Sequence, residues 1–274
     1  MRRVIPHGSD VERLVDELID RRTAPGRPPR RRSPLRSWYR RASSTDSWFL
    51  LAHVARASIE TAPGASVLDA GAGEQQYRWL FDHARYVACD FGKGDDAWNY
   101  SGIDTLCDLE AVPLRSGSFD VCLLTEVLEH VARPELVMAE LARILRPGGR
   151  IYVTVPFAFP EHQAPHDFHR YTSFALRRLA EVSGLAPTEV TMRTGFAGFV
   201  AFYLGVAFDS YVAERSARLR PAARRAMAPL LSLGRGALVA ARIGLYLADT
   251  DSGICVGYNC VLTKPLPAEA APPG

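Results

Sequence analysis

Between Ala65 and Val155 the chain repeats one texture, a short and continuously apolar run followed by a segment with helical spacing. The runs are Ser66–Ala70, Tyr86–Asp90, Ile103–Cys107, Phe119–Leu124 and Arg150–Val155. Each is too short and too evenly apolar for a strand with one wet face, so they read as central strands of a parallel sheet covered on both sides. Before the last run, Leu136, Val137, Leu141, Ile144 and Leu145 recur at helical spacing behind Pro134, and Pro147-Gly148-Gly149 stops that helix. The alternation predicts an α/β fold with a doubly wound, mostly parallel sheet. Its ligand belongs beyond the carboxyl ends of the strands, where strand order reverses. Ile254–Leu262 reads as a late strand of the same sheet.

The flanks are different. Of the 274 residues, 1–45 hold 12 arginines against 5 acids, a net +7, while the remainder is −4. Ser9 and Glu12 have capping-box spacing ahead of an amphipathic helix over 10–21, and the Pro- and Arg-rich stretch 23–36 reads as a linker. The basic segment carries no aromatics interleaved at stacking distance until Trp38 and Tyr39, so no nucleic-acid partner is expected. A second helix is predicted over about 46–60. Arg2 and Arg3 have no apolar run behind them, which argues against a secretory signal and for a start near Met1. The longest uncharged stretch, Thr194–Phe208, has 15 residues, short of the ~20 that span a bilayer. Residues 196–248 therefore read as helices that cap a substrate cavity, form a dimer contact or touch a membrane surface. The five cysteines form no C-x-x-C pair and fall mostly in apolar runs, as reduced core residues of a cytoplasmic protein would. The organisation expected is a helix and linker over 1–45, a core over 46–195, a helical insertion over 196–248, and a final strand and tail over 249–274.

Val67-Leu68-Asp69-Ala70-Gly71-Ala72-Gly73 places an acid at a strand end and two glycines in the following turn, where a ligand can lie against bare backbone. A dinucleotide fingerprint needs a third glycine at position 76, where Gln76 stands. An acid in the turn suits a cationic ligand better than a pyrophosphate. The run resembles the first motif of the class I S-adenosylmethionine (SAM) methyltransferases, although the fullest form of that motif has glycine where Gln75 stands. Later segments match in order: Asp90, 21 residues on, stands where the family binds the ribose, and Asp108 where it contacts adenine. Phe119 to His130 resembles the fourth strand and its turn, and Leu145 to Arg150 the entry to the fifth. The resemblance implies a seven-stranded sheet, SAM as cofactor with S-adenosylhomocysteine as product, and a cofactor site of Asp69, Ala70, Gly71, Gly73, Asp90, Phe91, Asp108, Leu109, Thr125 and Glu126. Glu126 and Glu129 read as residues of an exposed helical turn, with Glu126 turned to the cofactor.

The stretch Pro156–Thr172 leaves the carboxyl edge of the sheet with three of the seven histidines. Its His166-Asp167-Phe168-His169-Arg170-Tyr171-Thr172 resembles an H-D-F-x-R-Y-T loop of bacterial methyltransferases associated with glycan and natural-product assembly. A hydroxyl acceptor must lose a proton as it attacks a sulfonium-bound methyl, and imidazole titrates near neutrality, so His166, His169 and His130 are the candidate bases. Phe157, Asp167, Arg170 and Tyr171 are candidate substrate contacts. Alternatively Asp167 and Arg170 pair or cap the helix begun by Thr172, and Tyr171 packs under the loop. The H-D-x-H run has no further metal ligand at a recognisable spacing, so no metal is assigned. The function expected is methyl transfer to a small-molecule hydroxyl, with SAM-dependent chemistry of another kind, or a non-catalytic SAM-binding scaffold, as alternatives.

Overall fold

The computed structural model describes residues 9–23, 34–43, 46–94, 97–217, 220–247 and 253–267. The six apolar runs become β1 Ser66–Ala70, β2 Arg85–Asp90, β3 Thr105–Leu106, β4 Phe119–Thr125, β5 Leu145–Pro156 and β7 Gly257–Thr263, and a strand that no run announced, β6 Ala186–Met192, completes the seven. Val67, Leu68, Cys122, Leu123, Leu124 and Ile151 are each fully buried, as strands covered on both faces require. The sheet order is β3-β2-β1-β4-β5-β7-β6. All pairs from β3 to β5 are parallel, and β7 enters antiparallel to β5 from Pro156↔Gly257 to Arg150↔Thr263. The order reverses between β1 and β4, so the crevice beyond their carboxyl ends is the place for a ligand.

Two strands depart furthest in length from the runs that announced them. The Ile103–Cys107 run yields a two-residue edge strand, because the Asp104 side chain accepts Ala88 N–H at 2.8 Å and Arg78 Nη2 at 2.6 Å. Strand β5 starts at Leu145, five residues before the apolar run, and absorbs the Pro-Gly-Gly stop. A Cβ at Gly149 would sit 3.0 Å from Asp120 O, so only glycine lets the two backbones approach there.

Seven helices accompany the sheet among the described residues: α1 Ser9–Thr23, α2 Pro34–Ser43, α3 Ser47–Glu60, α4 Pro134–Ile144, α5 Ser173–Val182, α6 Phe196–Ala217 and α7 Pro221–Leu247. The chain forms two compact units. One holds the described residues up to Ala52 and Met192–Val256; the other holds His53–Thr191 and the described residues from Gly257 onward. In the first unit α2 and α6 both pack on α7. Helix α2 begins inside the segment read as linker: Pro34 sits in its first turn, and Arg40 grips Asp16 at 2.9 Å and Asp20 at 2.5 Å, one turn apart on α1. The rest of that linker, 24–33, and the tail, 268–274, lie outside the described residues. In the second unit Arg56 pairs bidentately with Glu189, both bonds 2.7 Å, tying the end of α3 to β6. No described helix is long and apolar enough to cross a membrane.

Candidate active site

Asp69 ends β1 and is 1% exposed. The Tyr86 hydroxyl on β2 donates to its Oδ2. Burial pushes the carboxyl up to about 6, against the opposing pull of that hydrogen bond, and the nearby Asp90 charge adds to the rise. The turn that follows is left-handed at Gly71 (φ 77°) and Gly73 (φ 50°), and the Gly71 and Ala72 amides both donate to Cys89 O. Gly71 is required by a neighbour: a Cβ there would fall 2.4 Å from Val127 Cγ2, in the turn after β4.

Asp90 ends β2 and joins the two turns, since Oδ2 accepts Gly73 N–H at 2.8 Å and Oδ1 accepts Gly92 N–H at 2.7 Å. Each oxygen retains a second lone pair. Phe91, beside it, is exposed and carries Lys93 Nζ 4.9 Å from its ring centroid. Asp108 is exposed and accepts Glu110 N–H at 2.9 Å, while Leu109 is buried beneath it. Bare turn backbone, the buried Asp69 and the Asp90 carboxylate lie along one sheet edge, a donor set whose chemistry suits a cationic, ribose-bearing ligand, and the Trp98 ring packs 3.2 Å from where a Cβ at Gly73 would stand.

Among the described residues three non-glycine positions are left-handed: Gln75 (φ 55°), Glu126 (φ 53°) and Gln163 (φ 51°). They follow β1, β4 and β5, all in loops at the carboxyl edge, where strained backbone clusters at functional sites. Gln75 takes the conformation that glycine would have taken in the motif. Thr125 ends β4, and the Glu126 amide donates to both O and Oγ1 of Thr154 on β5. Glu129 departs from the sequence reading: it is completely buried in a 3-10 turn, Leu128–His130, because its backbone O and that of Leu128 receive the next loop.

That loop is stitched to the 3-10 turn by four bonds. Glu129 O accepts Phe168 N–H (2.8 Å) and His169 N–H (3.2 Å), Tyr171 Oη donates to Leu128 O (2.9 Å), and His130 Nδ1 meets His166 O (2.5 Å). Arg170 closes the loop on itself through Asp167 at 2.6 and 2.8 Å and through the carbonyls of Phe159, Pro160 and His169. The Arg170 guanidinium holds the Asp167 carboxyl well below the usual range, against its partial burial. Tyr171 is buried and burial raises its phenol, while Thr172 caps α5 by accepting Ala175 N–H at 3.2 Å. Phe157 packs edge-on against Tyr258, centroids 5.7 Å apart. His166 is exposed, and His169 is half-buried with Nε2 lacking a hydrogen-bond partner. Burial lowers His130, favouring neutral imidazole.

The cofactor-side residues thus follow the ends of β1, β2, β3 and β4, and the three histidines lie around the β4 and β5 ends. Sequence reasoning missed Tyr86, Trp98 and His162. His162 stood in the histidine-rich loop, whereas nothing in the local sequence marks Tyr86. A cleft of about 450 Å³ opens at the opposite edge beside Ala65, Arg85 and Asp120, and none of the predicted site residues lines it.

Residues 68–153 match the family model described as a methyltransferase domain. A tRNA (carboxymethyluridine(34)-5-O)-methyltransferase of Mus musculus is 35% identical over 97 residues, 34% of this chain and 15% of that protein. A ubiquinone biosynthesis O-methyltransferase of Parvibaculum lavamentivorans is 35% identical over 91 residues, 33% of this chain and 31% of its own length. The matching region thus spans well under half of these curated relatives. A solved structure from Galdieria sulphuraria, a candidate sarcosine dimethylglycine methyltransferase, has 18% identity and a TM-score of 0.50, covering 81% of this chain and 84% of its own. Residues 68–153 are thus similar to a methyltransferase domain, and they lie in a seven-stranded, mostly parallel α/β sheet.

Proposed function

We propose that this chain is a SAM-dependent methyltransferase acting on a small-molecule hydroxyl, of a sugar, glycolipid or natural product, in the cytoplasm. The observation that carries the reading is the juxtaposition at one sheet edge of an acid-glycine turn with Asp69 and Asp90 and of a loop that presents His166 and His169. The cofactor supplies a methyl group bonded to a cationic sulfur. Asp69 offers negative charge to that cation, and Asp90 offers acceptors to its ribose while holding the Gly73 amide. Gly71 and Gly73 admit the ligand to the backbone. On the acceptor side Arg170 and Asp167 hold the loop in one shape, and an imidazole takes the hydroxyl proton as the oxygen attacks. Alignment of acceptor, methyl and sulfur contributes most of the acceleration. The catalytic domain in this reading runs over 46–195 and ends with the final strand.

The test is S-adenosylhomocysteine formation across a panel of sugar, glycolipid and phenolic acceptors, with His166→Ala and His169→Ala beside the parent protein. Loss of the base lowers the rate by ~10²–10⁴-fold and leaves SAM affinity unchanged. Near-parental rates in both variants would remove His166 and His169 from the chemistry, and a panel without turnover would remove the acceptor class. A modified-uridine RNA belongs in the same panel because the Mus musculus relative is named for one.

A further inference from the structure

Glu129, His130 and His162 come from two loops and converge, with one ligand-capable atom from each lying within 4.8 Å of the others. Glu129 is 0% exposed and His130 14% exposed, and Glu129 Oε1 lies 3.6 Å from His130 Nε2. The two imidazoles meet edge-on with centroids 4.8 Å apart. Each ring is oriented from its other nitrogen by a carbonyl: His130 Nδ1 is 2.5 Å from His166 O, and His162 Nδ1 is 3.2 Å from Pro160 O. A carbonyl keeps the proton on Nδ1 and leaves Nε2 as a lone-pair donor, the arrangement that outer-shell partners impose on metal-ligating histidines. No hydrogen bond engages Nε2 of His130.

We propose that Glu129, His130 and His162 form a binding site for a divalent transition-metal cation of the zinc class. Two imidazoles and one carboxylate are the donor set of zinc sites that keep a fourth position for water or substrate. Two nitrogen donors disfavour magnesium and calcium, which take oxygen ligands. Bonds of about 2.0–2.1 Å place the ligand atoms of a tetrahedral ion roughly 3.3 Å apart. The Glu129–His130 edge is already near that length, and His162, 27% exposed on its loop, turns inward to close the rest. Asp167 supports the turn by accepting the His162 amide at 2.9 Å. The site makes His130 a ligand and leaves proton abstraction to His166 or His169.

The test uses the full chain, stripped of metal with a chelator and titrated with Co²⁺ and then Zn²⁺. One equivalent of Co²⁺ is expected to bind with the intense visible absorption of a four-coordinate ion, and Zn²⁺ to displace it. His162→Ala, a change on a half-exposed loop that leaves the core untouched, should weaken binding at least tenfold, and Glu129→Gln similarly. His166→Ala should bind as the parent does, because His166 contributes its carbonyl alone. Absence of saturable binding by either ion, or parental affinity in His162→Ala, overturns the site. The readout involves no methyl transfer, so its failure leaves the proposed function standing.

Discussion

Asp69 carries an unusual load for a strand-end acid. Buried, bonded to Tyr86 and held up near 6, it is half protonated at mildly acidic pH, yet a cationic cofactor favours its charged form. Binding then expels a proton wherever the free protein holds one. Affinity for SAM should be flat above pH 6 and fall by up to about tenfold per pH unit below it, and Asp69→Asn should bind weakly with no such slope. Calorimetry from pH 5 to 8 reads both, and a slope that survives in the Asn variant would detach Asp69 from the ligand. Asp90 makes a second, separable contribution. Asp90→Ala removes the proposed ribose acceptors and frees the Gly73 and Gly92 amides, so SAM affinity should drop by roughly 1.5–3 kcal/mol, about 10- to 150-fold. Unchanged affinity in a folded variant would reassign the ribose. Gln75 shows how one motif departure is absorbed. It keeps glycine's left-handed backbone at a cost of about 1–2 kcal/mol, with its side chain accepting Arg78 Nε–H at 2.9 Å.

The Pro156–Thr172 loop gets its order from the 3-10 turn after β4. Tyr171 reaches beneath it to Leu128 O, a bond made in the protein interior. Tyr171→Phe leaves that carbonyl without its donor and should cost about 1–2 kcal/mol. The Phe168 and His169 amides, bonded to Glu129 O, should then exchange hydrogen faster. Urea unfolding and amide exchange test the two halves, and a variant as stable and as protected as the parent would mean that the Tyr171 bond is dispensable and that the Glu129, His130 and Arg170 links hold the loop. The same geometry explains why Asp167, Arg170 and Tyr171 cluster in sequence. Three of the four links to the 3-10 turn involve backbone atoms of 166–169, so the loop's side chains are left to brace it or to face outward.

For the whole chain, thiol accessibility is a simple check on the packing. Cys89, Cys122, Cys255 and Cys260 are buried and Cys107 is half-buried. Hydrogen bonding from Cys89 also lowers the Cys107 thiol, which raises its thiolate fraction. Native protein should react quickly with a thiol reagent at one site, Cys107, and at all five in denaturant. Two or more fast sites in the native state would contradict the buried positions.

The strands were legible because burial writes itself into composition: Ser66–Ala70, short and mostly apolar, is β1 without adjustment. The acid-glycine turn was legible because left-handed backbone and close approach demand particular residues. Helix α2 was not, since its arginines look like linker charge until Asp16 and Asp20 of α1 stand beside them. Glu129 looked exposed because a short turn has no periodicity to reveal which face is inward. Sequence alone therefore settled the fold class and the order of the motifs along the sheet, both properties of local chain chemistry and its spacing. Folding settled which side chains meet there: Gly71 against Val127, Tyr86 on Asp69, and Glu129 with His130 and His162. Except for the adjacent Glu129 and His130, those contacts join residues 17 to 56 positions apart, and no local propensity encodes a distance in space.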